Sequence, residues 1–186
     1  KSRAAEVLNE LFIQDKFLKG LFPAILRLYS SSNNYDEHLK WLEIALDIDP
    51  ENPAVIELNA NRLNKEKKND LAAIEFRKLE KILNKPYYEL IARMNDIIYN
   101  DQMSNSDIEN YIHDFINLNP DLKNEAYYRL AKYFMDFKDS YFMTYKVIEK
   151  CSFGPNYPRA VDLIKLRLDI LSDDKKASKA LRNLKI

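Results

Sequence analysis

Residues 35–50 read YDEHLKWLEIALDIDP, and this stretch decides the fold. It predicts an amphipathic helix that Pro50 brings to an end. A second helix is predicted to follow at once, because Asn52 is a good cap residue and Pro53 suits a first helical turn. The same two-helix pattern recurs along the chain, and this recurrence is the most informative feature of the sequence.

The composition also favours helices. The chain has 186 residues, of which 46% are apolar and only 2 are glycine. Strands and tight turns use more glycine than this, whereas helices use little. The sequence therefore predicts an all-α fold with enough apolar residues to form a core.

Two sets of landmarks repeat with nearly the same period. A Tyr or Leu late in each first helix recurs with steps of 34, 36, 34 and 35 residues, at Tyr29, Leu63, Tyr99, Tyr133 and Leu168. The closing breaks recur with steps of 34, 36 and 34 residues, at Pro50, Asn84, Pro120 and Gly154. Because a unit of ~34 residues is too short for a core of its own, such units stack on one another. We predict one helical array over residues 1–186, with a leading helix at 2–18 and units near 19–52, 53–86, 87–122, 123–156 and 157–186.

This pattern resembles the tetratricopeptide repeat family, in which a Tyr marks the first helix, apolar residues mark the second and Pro closes the unit. The matching residues are Tyr29, Leu42, Ala45, Pro50, Ala60, Ala72, Phe76, Tyr99, Pro120, Tyr133 and Ala177. The resemblance implies a right-handed superhelical array, an α-solenoid, of about five antiparallel helix pairs. Small positions of the family pattern are filled here by His38, Ile108 and Phe142. A related helical repeat of RNA-processing assemblies has a similar period and stays open as an alternative.

Several local predictions follow the same register. The core candidates on the helix predicted at residues 70–83 are Leu71, Ala72, Ile74, Phe76, Leu79 and Ile82. If the Tyr99 ring is buried between helices, Tyr99→Ala should cost ~3 kcal/mol of stability. Capping-box spacing marks two helix starts, at Asn34 with Glu37 and at Ser106 with Glu109.

The resemblance also implies a binding surface. In this family the first helices line a concave groove that holds an extended peptide or a partner segment. Asn side chains can bond both donors and acceptors of an extended backbone, and Arg can grip a carboxylate. The alternative interpretation is that these positions are solvated helix faces. Carried over by position, the candidates are Arg27, Glu57, Asn61, Asn64, Lys65, Arg93, Asn100, Asn124, Tyr127, Arg159 and Asp162.

The densest aromatic stretch lies at residues 133–145. Its rings are expected mainly in the core and against the fifth unit. A protein interface or a dimer contact is the other interpretation, because Tyr, Phe and Met are enriched at interface centres. The candidate interface aromatics are Phe134, Phe137, Tyr141 and Tyr145.

No residue pattern indicates catalysis, a cofactor or a metal. His38 and His113 lie far apart in the repeat order and lack the spacing of metal ligands. There is no Gly-rich phosphate loop, Gly-x-Ser-x-Gly or His-Glu-x-x-His motif. Cys151 is the single cysteine and is expected to pack as a small apolar group. We therefore predict a segment without enzymatic activity, cofactor or metal.

Charge is balanced overall but uneven locally. The 29 basic and 29 acidic residues disfavour a general nucleic-acid binder, and no apolar run of ~18 residues predicts a membrane span. Residues 62–85 carry eight basic and four acidic residues, whereas residues 101–121 carry five acidic residues and no Lys or Arg. Such runs are usually solvated faces, but opposed patches can steer a partner or a second copy.

These observations favour a non-catalytic scaffold that binds a protein or peptide in the concave groove. An alternative is the repeat region of a larger enzyme, for example one that builds or modifies a polymer, in which the array positions substrate or subunits. A third hypothesis is homo-oligomerisation through the aromatic fourth unit or through an uncapped end of the array. The chain begins at Lys1 and ends within a predicted helix, so we expect a piece of a longer protein. The lone cysteine favours a cytoplasmic location.

Overall fold

A computed structural model describes residues 7, 10, 19–31, 35–138 and 140–151. This part of the chain contains α-helices and two short 3-10 turns, at Lys19–Leu21 and Pro120–Leu122, and no strand. The α-helices are α1 (Phe22–Ser31), α2 (Tyr35–Ile48), α3 (Pro53–Lys65), α4 (Asn69–Leu83), α5 (Pro86–Tyr99), α6 (Asn105–Leu118), α7 (Lys123–Asp136) and α8 (Tyr141–Ile148). The all-α prediction is confirmed. Most of the predicted leading helix, the Asn34 cap and the fifth helix pair lie outside the described residues.

The chain divides into two compact units. Unit 1 spans Lys1–Tyr99 and includes α1 to α5, whereas unit 2 spans Asn100–Ile186 and includes α6 to α8. Consecutive helices pack on one another within each unit. The connections within the units are short, as in helical hairpins.

Helix α3 holds the core of unit 1 together. Val55 belongs to an apolar cluster with residues of α1 and α2, including Phe22 and Trp41. The next residue, Ile56, belongs to a second cluster with α4 and α5, which includes Phe76 and Ala92. Adjacent residues of α3 thus contribute to two different clusters, and α3 links the core of α1 and α2 to the core of α4 and α5.

The start of α3 is confirmed as predicted. Asn52 has an extended backbone, its Oδ1 accepts a hydrogen bond from the Ala54 amide at 3.1 Å, and Pro53 occupies the first turn. The predicted start of α6 is wrong. The cap is Ser104, not Ser106, and its Oγ accepts from the Asp107 amide at 3.1 Å. Both serines have an acidic residue three positions later, so spacing alone does not choose between them.

The predicted register of α5 is also wrong, by two residues. Tyr99 is 63% exposed, whereas Ile97 is 0% exposed and occupies the buried position. With Ile97 as the landmark, Tyr29, Leu63, Ile97 and Tyr133 are all buried, at steps of 34, 34 and 36 residues. The additional two residues lie in the connection between α5 and α6. That connection has five residues, 100–104, whereas the one between α3 and α4 has three, 66–68.

Three core candidates of α4 lie on its surface. Leu71 is 44% exposed, Ile74 is 51% exposed and Ile82 is 46% exposed. The other three core candidates are confirmed, because α4 buries Ala72, Phe76 and Leu79 against α3 and α5. About half of each side chain in this outward apolar row is therefore exposed to solvent.

Two of the three bulky residues at small family positions are accommodated in the core. Ile108 is buried in unit 2, and His38 is buried with its Nδ1 3.0 Å from the Leu26 carbonyl oxygen of α1. Phe142 is not accommodated, since it is 78% exposed while the next residues, Met143 and Thr144, are buried. Helix α8 therefore presents a different face from the one that the family pattern predicts.

A charged contact joins the first described helix of unit 2 to the end of its last described helix. Glu109 of α6 accepts hydrogen bonds from Lys146 Nζ at 2.9 Å and from Lys150 Nζ at 3.2 Å. Burial raises the pKa of this carboxyl group, but the hydrogen bonds from Lys146 and then Lys150 outweigh burial and leave the pKa below its ordinary value. Each of the three helices also buries apolar side chains, including Ile112 of α6, Leu130 of α7 and Val147 of α8.

No helix in the described part of the chain combines the length and apolar character that crossing a bilayer requires.

Candidate functional site

The polar side of α3 carries the clearest set of predicted binding residues. Glu57, Asn61 and Lys65 are exposed and follow one another at four-residue steps, so they form one row along the helix. The other side of α3, including Ile56, Ala60 and Leu63, is buried in the core. The row is therefore held on a rigid element, and its three side chains point to solvent. We call it, together with Tyr88 of α5, the first-helix face.

Tyr88 joins this face from the neighbouring first helix. Its hydroxyl group donates a hydrogen bond to Glu57 Oε1 at 3.4 Å. Burial and then the neighbouring Glu57 carboxylate raise the pKa of the Tyr88 phenol. The Tyr88 ring is half-buried and stacks near Phe76 of α4, with ring centroids 6.4 Å apart. The core thus fixes a phenol beside the exposed carboxylate of α3.

The remaining polar residues at the end of α3 form a local network. Asn59 Oδ1 accepts from Arg62 Nη2 at 2.9 Å, and Arg62 Nη1 pairs with Glu66 Oε1 at 3.0 Å. This network satisfies Asn59, which is buried. Asn64, predicted at the groove, is half-buried, and its Oδ1 accepts no hydrogen bond within the described residues. Because this oxygen is itself buried, it is not part of the exposed row on α3.

Arg93 takes part in an ion-pair network inside unit 1. Its side chain is only 16% exposed, and its Nε donates to Glu89 Oε1 at 2.9 Å. Arg77 of α4 pairs with the same Glu89 and with Asp96. The assignment of Arg93 to the groove depended on the two-residue register error. In the corrected register the equivalents of Glu57 and Asn61 are Ile91 and Asn95.

The other predicted groove residues are divided between the units. Arg27 of α1 is exposed in unit 1. Asn100, Asn124 and Tyr127 belong to unit 2, and the Tyr127 ring is buried beneath Lys150, whose Nζ is 5.6 Å from the ring centroid. The prediction that the Tyr127 side chain lines an exposed groove is therefore wrong. Asn124 is half-buried, and Arg159 and Asp162 lie outside the described residues.

The predicted interface aromatics also separate into core and surface residues. Phe134 is fully buried and is corrected to a core residue. Phe137 stacks on the buried Tyr133 ring at a centroid distance of 5.7 Å, yet most of its surface is exposed. Tyr145 is exposed, and the Tyr141 side chain lies outside the described residues. Among the described aromatic side chains at 133–145, Phe142 is the most exposed, and it was not a candidate.

Two residues at the first-helix positions were missed from the sequence. Tyr88 was missed because its contact with Glu57 spans 31 positions along the chain. Asn95 was missed because of the register of α5; it is buried, and its Nδ2 donates to the Ile91 carbonyl oxygen at 2.9 Å. The repeat of Asn at positions 61 and 95, a step of 34 residues, was the available signal.

The described residues contain no group of three or more His, Cys, Asp or Glu side chains that could hold a metal ion. The first-helix face has the donors and acceptors of a binding surface: a carboxylate, an amide, an ammonium group and a phenol. Comparisons with protein-family models, with curated proteins and with solved structures gave no match to this chain.

Proposed function

We propose that this chain is a non-catalytic scaffold of the tetratricopeptide type, a superhelical array that binds an extended segment of a partner protein along its first helices. The observation that carries the proposal is the exposed row Glu57, Asn61 and Lys65 on α3, beside Tyr88 of α5. A shared core fixes both helices behind these side chains. A rigid polar row of this kind suits an extended peptide, whose backbone N–H and C=O groups are free to form hydrogen bonds with the row.

The charges of the row indicate what such a peptide carries. Glu57 and Lys65 are eight residues apart, so they lie about 12 Å apart along the helix at about 1.5 Å per residue. An extended peptide covers this distance in about four residues, at about 3.3 Å each. A basic side chain would therefore pair with Glu57 while an acidic side chain four residues away pairs with Lys65. Between them, Asn61 can donate to and accept from the peptide backbone.

Three synthetic peptides test this proposal by fluorescence anisotropy. The first carries one Lys and one Asp four residues apart, the second carries two Lys and the third carries two Asp, in otherwise identical polar sequences. The protein should prefer the first peptide. Lys65→Glu should shift the preference to the peptide with two Lys, and Glu57→Lys should shift it to the peptide with two Asp. Asn61→Ala should weaken binding of the preferred peptide without changing the order.

The matched control is the charge exchange Lys40→Glu with Glu43→Lys on α2, where both residues are exposed. It should leave the peptide preference unchanged. All variants alter exposed side chains, so thermal melts should confirm that they fold. Equal binding of the three peptides, or a preference that the Glu57 and Lys65 variants do not move, would contradict the proposal.

A further inference from the structure

The outward sides of α4 and α6 carry opposite charges at equivalent positions. On α4 and just after it, the exposed residues are Leu71, Ile74, Lys78, Lys81, Ile82 and Lys85, which we call the basic face. A shift of 36 residues, the step between Asn84 and Pro120, leads to Asp107, Asn110, Asp114, Asn117, Leu118 and Asp121, which we call the acidic face. All of these residues are exposed as well.

The basic face has the pattern of a helix-binding surface. Its residues at 71, 74, 78, 81, 82 and 85 follow the three- and four-residue steps that line one side of a helix. Its three apolar residues are exposed by about half, and its three lysines have no acidic residue among them. Lys78 pairs with Glu75 of its own helix, whereas Lys81 and Lys85 pair with no carboxylate in the described part of the chain. An apolar row flanked by three lysines, of which Lys81 and Lys85 have no carboxylate partner among the described residues, suits an acidic helix.

The acidic face provides such a helix. Asp107, Asp114 and Asp121 recur every seven residues, matching the seven-residue step from Lys78 to Lys85. Neither Asp114 nor Asp121 pairs with a Lys or Arg in the described part of the chain. Leu118, 77% exposed, adds an apolar side chain to the acidic face. A net charge of zero allows copies to approach, and the opposed faces orient them.

We infer that the basic face of one copy binds the acidic face of a second copy. The two faces differ, so the contact is heterologous: one copy keeps a free acidic face and the other keeps a free basic face, and either can bind a further copy. This contact uses the outward sides of α4 and α6, and not the first-helix face that we propose for peptides. A failure of peptide binding therefore leaves this inference intact, and the converse also holds.

Sedimentation velocity at several protein concentrations tests the inference. At about 0.05 M salt the weight-average mass should rise above 22.0 kDa as the concentration increases. At about 1 M salt, where the Debye length is about 3 Å, the mass should return toward the monomer value. Ile74→Ser, which keeps every charge, should weaken association at low salt because it removes apolar contact. A mass of 22.0 kDa at every concentration in low salt overturns the inference.

Charge reversal identifies the two faces. Lys78→Glu with Lys85→Glu, and separately Asp114→Lys with Asp121→Lys, should each weaken self-association by at least about tenfold, because like charges then oppose each other. An equimolar mixture of the two double variants should regain association, since each supplies the charge that the other lacks. The fourfold variant should regain it as well, which shows that the substitutions leave the fold intact.

The matched control is Lys40→Glu with Lys132→Glu, which changes the net charge equally at exposed residues outside both faces. It should associate like the unchanged protein. Double variants that associate as strongly as the unchanged protein, or a mixture that stays monomeric while both variants are folded, overturn the inference.

Discussion

At the scale of single residues, Ile97 and Tyr99 offer the sharpest test of the fold of unit 1. Ile97 is fully buried, so Ile97→Ala should lower the free energy of unfolding by about 3 kcal/mol through lost burial and a cavity. Tyr99→Ala should cost less than about 0.5 kcal/mol, because most of the Tyr99 ring is in water. Urea unfolding followed by circular dichroism measures both. A larger effect at Tyr99 than at Ile97 would contradict the register of α5.

The two residues also show why sequence reasoning chose the wrong landmark. Tyr99 has the residue type of the family position, and the breaks at Asn84 and Pro120 have the same 36-residue step as Leu63 and Tyr99. That agreement depends on where the additional two residues lie. The longer connection at 100–104 places the two residues after α5 and before α6. The buried landmark of α5 therefore keeps the 34-residue step from Leu63 to Ile97, whereas the break after α6 keeps the 36-residue step from Asn84 to Pro120. Identity at a single position cannot distinguish these cases, whereas the burial of Leu90, Met94 and Ile97 does.

At the scale of elements, the contact of α6 with the end of α8 predicts how the stability of unit 2 depends on pH. The pKa of Glu109 is lowered in the folded chain. The charged carboxylate therefore stabilises the fold at pH values above the ordinary pKa of a glutamate, near 4.5. This stabilisation is lost as the pH falls through the lower pKa of the folded chain. Glu109→Gln should therefore cost about 0.5–1 kcal/mol near neutral pH, since both lysines are substantially exposed to solvent.

Urea unfolding at several pH values between neutral and about 3 measures this difference. The difference between Glu109→Gln and the unchanged protein should shrink as the pH falls below the ordinary value. Glu149→Gln is the matched control, because Glu149 is exposed on the same unit and pairs with no lysine in the described residues. It should show little difference at any pH. A cost of Glu109→Gln that stays constant from neutral to acidic pH would contradict the charged contact.

Elements were more predictable than their faces. The order of the described helices and most of their bounds follow from apolar periodicity together with the breaks at Pro50, Pro86 and Pro120. The outward row at Leu71, Ile74 and Ile82 does not follow, because α4 has apolar residues on nearly every side and periodicity cannot choose which side is buried. The contacts of α3 and α5 made that choice. Similarly, Tyr88 entered the site through a contact between helices that no local pattern contains.

At the scale of the whole molecule, the division at Tyr99 and Asn100 indicates where the chain can be separated. Unit 1 contains both apolar clusters that α3 connects. Helix α5 supplies Ala92 to the second cluster, with Tyr88 and Ile91 packed against it, and it also buries large side chains such as Leu90 and Ile97. Each fully buried large apolar side chain contributes about 1.5–3 kcal/mol relative to an exposed one. The core of unit 1 should therefore require α5 but not α6.

Two truncated chains test this requirement. Residues 1–99 should keep a helical circular dichroism spectrum and unfold cooperatively with urea, because they contain both clusters that α3 connects. Residues 1–83 lack α5 and expose the apolar side of α4 around Ala73 and Phe76, so they should unfold at much lower urea or aggregate. The comparison separates a missing helix from a merely shorter chain, since both fragments keep α1 to α4. Equal stability of the two fragments, or an unfolded 1–99, would contradict the core assigned to unit 1.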